Sequence, residues 1–593
     1  MPFANLSPVG FEKVHIQEGF WKNRIHAVCA KTTWTCIGEC EKTHRVDNFR
    51  RAAGQQAGGH EGIYFNDSDV YKVLEGVAYV LMTEKNAELE AKADEIIDAI
   101  CAAQQPDGYL YTYFTLNTPQ NRWTDMSFHE AYCLGHMIEG AIAYAQATGK
   151  EKWLHAAERA VEQMMRVNGP EGQHWVTGHQ EIELALVRLY RHTGEEKYLR
   201  YAQWLVEERG HGHLKVPLFK DKAFFVPEYC QDDRPVRELE RVTGHAVRAM
   251  YYYSAVTDLA AILGEASYDE AMRRVWNNVV PANLYLTGGI GQSAHNEGFT
   301  RDWSLPNLTA YCETCAAIGM AMWNQRMNFT HAESKYADMV EREMYNGILS
   351  GISLGGDRFF YDNPLSSVGN YHRSQWFGCS CCPTNLIRFV PSVGGYAYAT
   401  DGNCIYVNQF IPSETCIDTP DGAVKLKVAT NYPWEGEVDL EVVDCAGATE
   451  LRLRKPGWCE QAALTVNGVP AADAENGYFA VRVQKGDRIR YQMRMDVRRV
   501  YADARVAEDA GRVAVMRGPI VYCAEEVDNP GIPSEYFHAD KALSKAAPLS
   551  PRYEPDLLGG VVVVEGEGIR MVPYFAWDNR EPGAMAVWLK EIE

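Results

Sequence analysis

The sequence predicts a multidomain protein of α plus β class, an α/α barrel followed by antiparallel β-sandwich domains. Three observations carry that prediction. Apolar residues recur at helical spacing from about residue 67 to about 400. A helical hairpin repeats within that stretch. Near residue 400 the period switches from that of helix to that of strand.

The helical reading starts at "NDSDVYKVLEGVAYVL". Asn66, Asp67 or Ser68 can cap a helix there, and Val70, Val73, Leu74, Val77, Val80 and Leu81 form its apolar face. Further amphipathic segments lie near 87–104, 128–147, 151–166, 179–192, 196–209, 244–263, 311–326, 332–349 and 384–392. The repeat is more informative than any one helix. "ATGKEKWLHAAERAVEQM" at 147–164 recurs as "HTGEEKYLRYAQWLVEER" at 192–209, a shift of 45 residues and enough for one helical hairpin. "VTGHQ" at 176–180 recurs as "VTGHA" at 242–246. Repeated hairpins build an open solenoid or a closed toroid. The closed form is favoured, because it would turn His179 and His245, each at a helix start, into one cavity. From about residue 401 the pattern alternates: Val424, Leu426 and Val428 face Lys425 and Lys427, and Gly, Pro and Asp turns separate such runs. The predicted segments are an extended piece over 1–12 that can add a strand, the helical catalytic body over 13–400, and β-sandwiches over 401–500 and 501–593.

Composition narrows the function. The chain has 593 residues, 46% hydrophobic and 23% charged, with a formal charge of −21. So acidic a surface repels nucleic acid and anionic membranes, and no basic stripe or membrane-length apolar run offsets it. The first residues lack the basic and apolar regions of a secretory signal, which points to the cytoplasm. Sixteen cysteines are too few for a disulfide scaffold of this length. Most read as small buried apolar residues.

Two segments concentrate metal-ligand chemistry. "YCETCAAIGMAMW" holds Cys312, Glu313 and Cys315, and "WFGCSCCPTN" holds Cys379, Cys381 and Cys382. Thiolates with a carboxylate suit Zn²⁺, and coordination explains how adjacent cysteines coexist. Spacing leaves several readings open. These are free thiols, a structural clasp of Cys312 and Cys315 with two of the later three, a catalytic metal–thiolate site, or a strained vicinal disulfide between Cys381 and Cys382. The Gly-rich loop "YLTGGIGQSAHNEGFT" adds Glu297, a candidate general acid.

"NDSDVYK", "FHEAYCLGH", "TGGIG…HNEGFT", "YCETCA", "FFYDNPL", "CCPTN", "LRLRKPGW" and "PYFAWDNREPGAMAVWL" together resemble glycoside hydrolase family 127, the β-L-arabinofuranosidases. The likeness runs in order over about residues 10 to 590. It implies an (α/α)₆ barrel with β-sandwich domains and a zinc site of Glu313, Cys315, Cys381 and Cys382. It further implies Cys381 as nucleophile and Glu297 as acid/base, with His129, His179, His245 and Tyr361 on the sugar. His136 is the alternative to His129, and Cys312 and Cys379 receive no role. The expected activity is zinc-dependent, retaining release of a terminal β-L-arabinofuranose from small carbohydrates, with a homodimer possible. A furanosidase for a β-D-arabinofuranoside or a branched acidic deoxy sugar, a sugar epimerase, and a carbohydrate-binding protein with structural zinc are the alternatives.

Overall fold

The computed structural model describes residues 3–218 and 226–593. Met1 and Pro2, at the start of the predicted 1–12 segment, lie outside it. Helices dominate the first two thirds: α1 (Phe20–Ala27), α2 (Thr33–Lys42), α3 (Arg45–Ala52), α4 (Asp67–Thr83), α5 (Ala87–Ala103), α6 (Thr112–Leu116), α7 (Glu130–Thr148), α8 (Lys152–Val167), α9 (Ile182–Thr193), α10 (Glu196–Glu208), α11 (Ala246–Leu263), α12 (Ala266–Ala282), α13 (Thr314–His331), α14 (Ser334–Arg342) and α15 (Cys381–Phe389). Two parts were not anticipated. The helical run begins at Phe20 rather than near 67, because α1 to α3 are short and α3 buries Arg45 and Arg51 among its apolar residues. Helix α12 contains Asn277, Asn278 and Pro281, which read as breakers, yet Tyr268, Met272, Val275 and Val279 bury one face.

Packing explains the alternation of apolar and polar-faced helices. Helix α4 packs on α7, α7 on α9, α9 on α11, α11 on α13, α13 on α15, and α15 on α4. The helices between them lie against these: α8 on α7, α10 on α9, α12 on α11 and α14 on α13. Helices α4, α7 and α11 bury most of their length, whereas α8 and α10 bury one stripe. The 45-residue repeat marks equivalent corners. Gly149 ends α7 at φ 74° and Gly194 ends α9 at φ 75°, a left-handed stop that glycine adopts without strain. The preceding Thr148 and Thr193 hydroxyls accept from Lys150 N and Glu195 N, each at 3.2 Å.

The second half is sheet. One five-stranded sheet orders Ser7–Pro8, Tyr398–Asp401, Cys404–Val407, Thr449–Arg454 and Tyr478–Val483. A seven-stranded sheet runs from Val469–Pro470 to Val14–Ile16, and the last sheet takes the remaining strands to Leu589–Ile592. Alternation holds where it was read: Val424, Leu426 and Val428 are buried and Lys425 and Lys427 exposed. The sheets are not purely antiparallel. Cys404–Val407 pairs parallel to Thr449–Arg454, because the chain visits the other sheet between them, and Ala542–Ser544 pairs parallel to Leu589–Ile592. The N-terminal segment joins both earlier sheets, with Ser7 and Pro8 on Thr400 and Ala399 and Val14–Ile16 on Ser413–Thr415. No helix among the described residues is long and apolar enough to cross a membrane.

Candidate active site

The repeated Val-Thr-Gly-His turns do one structural job. A Cβ on Gly178 would lie 2.0 Å from the Met126 carbonyl oxygen, and one on Gly244 would lie 2.0 Å from that of Glu228. Each glycine lets two chain segments touch, and the histidine that follows turns inward. His129 ends the segment that Gly178 presses on. It stands at the start of α7 with φ 63°. The three imidazoles form a row, with ring centroids 5.3 Å apart for His129 and His179 and 5.4 Å for His179 and His245. Burial first, and then the Arg248 charge, hold His179 and His245 well below the ordinary imidazole range. They are neutral near pH 7, able to donate from one nitrogen and accept at the other.

The loop carrying Glu297 is pinned on the second of these turns. Ala246 N donates to Glu297 O at 3.0 Å and Phe299 N to Gly244 O at 2.8 Å. A Cβ on Gly298 would fall 1.9 Å from Gly244 O, so only glycine permits this closeness. Glu297 itself sits at φ 49° and keeps its side chain 38% exposed. Its carboxylate accepts from Tyr229 OH at 2.7 Å and faces His245 Nε2 at 3.5 Å and Tyr311 OH at 3.4 Å. With Cys312 at φ 40°, three non-glycine residues at or beside this site adopt left-handed backbone. Strain of this kind persists where the surrounding packing fixes it, often at functional sites.

Glu313 and Cys315 open α13, and Cys381 and Cys382 open α15. The packing of these two helices brings the four donors together, all within 4.8 Å of one another and all buried. Cys315 Sγ is 3.5 Å from Cys382 Sγ, and Cys381 Sγ is 3.8 Å from Cys382 Sγ. Glu313 Oε1 is 3.4 Å from Cys381 Sγ and 3.7 Å from Cys382 Sγ. Tetrahedral zinc, with bonds of about 2.3 Å to sulfur and about 2.0 Å to oxygen, requires edges of about 3.5–3.8 Å. The donor set therefore fits such an ion. It also calls for a cation: burial, then the Cys381 and Glu297 charges, push Glu313 well above the carboxylate range. Burial raises the Cys315 thiol, but donation from Cys381 and Cys382 prevails and brings it to about 6.

The structure separates the remaining cysteines. All 16 are free thiols, so no vicinal disulfide forms. Cys312 lies outside the four-donor group and directs its sulfur at the Gly289 turn, which removes it from a Cys312–Cys315 clasp. Cys379 borders the cavity and lies 3.8 Å from Tyr361 OH, also outside the group. Tyr361 OH is 3.2 Å from Cys381 Sγ. Its segment is locked by Asn363, whose amide donates to Cys312 O and Thr314 Oγ1 at 2.9 Å each.

A cavity of about 250 Å³ joins these parts, and His129, His179, His245, Glu297, Glu313, Cys315, Tyr361 and Cys381 all border it. His136 does not: it lies wholly buried beneath, 3.1 Å from Glu181. Cys382 is likewise behind the wall. Sequence reasoning missed Tyr64, Phe65, Tyr132, Tyr229, Arg248 and Tyr251 in the lining. Lone aromatics carry no local signal that separates a cavity wall from a core.

With this geometry in hand, comparison with known proteins is direct. The family profile for the β-L-arabinofuranosidase catalytic domain of glycoside hydrolase family 127 matches residues 13–395, and those of the family's middle and C-terminal domains match 404–495 and 497–590. A non-reducing end β-L-arabinofuranosidase of Bifidobacterium longum is 38% identical, over 92% of each chain. The solved structure of a β-L-arabinofuranosidase from Geobacillus stearothermophilus T6 superposes with a TM-score of 0.92 at 39% identity, covering 98% of this chain and 100% of that one. Another solved β-arabinofuranosidase superposes with a TM-score of 0.92 at 38% identity, covering 99% and 98%. The chain belongs to glycoside hydrolase family 127.

Proposed function

We propose that this glycoside hydrolase is a zinc-dependent, retaining exo-enzyme that releases a terminal β-L-arabinofuranose, with Cys381 as nucleophile and Glu297 as acid/base. The observation that carries the proposal is the meeting of the buried Glu313, Cys315, Cys381 and Cys382 group with Glu297 on one cavity. The helix pairs that pack in cyclic order support an (α/α)₆ barrel around that cavity, and the alternating burial of the later strands supports β-sandwich domains over about 401–500 and 501–593. The 16 free thiols suit a reducing, cytoplasmic setting.

Glu313, Cys315, Cys381 and Cys382 would hold the zinc, which when bound removes the thiol proton and keeps sulfur as thiolate at neutral pH. His129, His179 and His245 bind the furanose hydroxyls and set its anomeric carbon against Cys381. Tyr361, donating toward the same sulfur, steadies it. The Cys381 sulfur bonds to the anomeric carbon while the bond to the leaving oxygen breaks, and Glu297 gives that oxygen its proton. The ionised Glu297 then takes a proton from water. That water displaces the sulfur, and two inversions leave the configuration retained. Tyr229 and His245 hold the Glu297 carboxylate in place between the steps.

The test is intact-mass analysis after incubation with a furanose-configured epoxide, with metal content measured in parallel. One sugar adduct on Cys381 and about one zinc per chain are the expected results. Full activity after chelation, with no adduct, overturns the proposal. A panel of aryl furanosides identifies the sugar. Glu297→Gln should cost about 10²–10⁴-fold in kcat/KM on substrates with poor leaving groups. It should cost far less on a dinitrophenyl glycoside, which departs without a proton. An equal loss on both would remove Glu297 from the acid role.

A further inference from the structure

Lys72 is a buried cation for which the mechanism above has no use. Its residue is 0% exposed, and Nζ donates to Tyr132 OH at 2.9 Å. Two contacts place it along α4. Arg45 bridges Asp69 (Nε to Oδ2, 2.9 Å) to Ser380 (NH2 to Oγ, 3.3 Å). One turn further than Lys72, Gly76 lies so close to the Ile387 backbone that a Cβ there would approach its carbonyl oxygen to 2.8 Å. Residue 69 is thus level with 380 and residue 76 with 387, so α4 and α15 advance side by side in one direction. Lys72 falls between, against the first turn of α15, which begins with Cys381 and Cys382. Tyr132, its hydrogen-bond partner, borders the same cavity as Cys381.

Charge gives this placement its meaning. Three thiolates and one carboxylate carry −4, and a divalent cation would leave −2 on a group whose four residues are all buried. Such an excess is expensive to bury unless a countercharge accompanies it.

We propose that Lys72 is a positioning residue that supplies the countercharge to the cysteine–glutamate cluster and, by drawing electron density from Cys381, makes its sulfur a better leaving group in the second step. This rests on the reading of Cys381 as nucleophile. A bare thiolate attacks readily and departs reluctantly, so the ammonium favours departure, when water displaces sulfur and the sulfur regains its electron pair.

The test is Lys72→Met and Lys72→Arg in the full chain, loaded with Co²⁺ for spectroscopy and Zn²⁺ for kinetics. In Lys72→Met the sulfur-to-cobalt charge-transfer absorption should move to longer wavelength, because sulfur loses its stabilising neighbour. In the same variant kcat and KM should fall together by about tenfold with kcat/KM held, as the sugar-bearing enzyme accumulates. Lys72→Arg should restore both. If Lys72→Met does not fold, Lys72→Gln carries the same expectations. An unmoved band with kcat and KM each at the wild-type value in a folded neutral variant overturns the Lys72 role and leaves Cys381 untouched. A wild-type cobalt protein without any sulfur charge-transfer band overturns both.

Discussion

Cys381→Ala should lower kcat/KM by about 10⁴-fold or more, the scale on which loss of a covalent nucleophile is felt when the rest of a site remains. Cys381→Ser should be nearly as damaging, because a hydroxyl beside Tyr361 has no ionised form at neutral pH. What separates the nucleophile from a ligand is the comparison with its neighbours. Glu313, Cys315 and Cys382 remain after Cys381→Ala, and three protein ligands still hold zinc at catalytic centres. That variant should therefore keep a measurable, weaker metal content while losing turnover and the epoxide adduct. Cys315→Ala and Cys382→Ala also leave three of the four donors, so their metal content should weaken in the same way, but they keep Cys381 and should retain the epoxide adduct and, with zinc in excess, part of the turnover. Near wild-type turnover in Cys381→Ala would end the covalent reading and return the histidine-lined cavity to non-covalent chemistry, such as epimerisation.

Legibility in the sequence followed the range of the physics involved. The helix and strand periods, the capping glycines at 149 and 194, and the Val-Thr-Gly-His turns are local, so they could be read and then found. The buried α3 could not. Arg45 and Arg51 look like a solvated face, and only the distant Asp69 and Gly59 explain why they are inside. The four-donor group was named from a family resemblance. Composition alone left Cys312 and Cys379 as equal candidates, and the choice lies in directions that spacing does not encode: Cys312 precedes α13 in a left-handed conformation that turns its sulfur to Gly289, away from Cys315. His129 and His136 posed the same problem. They lie seven residues apart, near two helical turns, yet His129 precedes α7 and meets the cavity while His136 sits within the helix and points under it. The aromatics around Glu297 were illegible for another reason, since Tyr229 and Tyr311 act through hydroxyls that meet Glu297 only in three dimensions.

The second large effect is on stability, at Arg388. This guanidinium is 5% exposed and pairs with Glu75 at 3.0 Å and Glu139 at 2.7 Å. It also donates to Tyr251 OH at 3.0 Å and to Asn385 Oδ1 at 2.5 Å. Arg388→Met keeps most of the volume and removes the charge. Glu75 retains Arg188 at 2.8 Å and Tyr79, whereas Glu139 keeps Arg188 only at 3.5 Å. Glu181 lies in the same buried group, already raised well above its ordinary range by burial and by Glu139. Leaving such carboxylates uncompensated should cost about 3–5 kcal/mol, visible as a lower denaturation midpoint. The double variant Arg388→Met with Glu139→Gln should recover part of that loss, since it removes the orphaned charge as well as its partner. Function should suffer by a separate route. Arg388 fixes the end of α15 whose first residues are Cys381 and Cys382, and it holds Tyr251, which borders the cavity. The single variant should therefore lose metal more readily during chelator competition at temperatures where it is still folded. A destabilised protein that holds zinc as tightly as the wild type would mean that the two ends of α15 are independent, and that the buried ion network serves the fold alone.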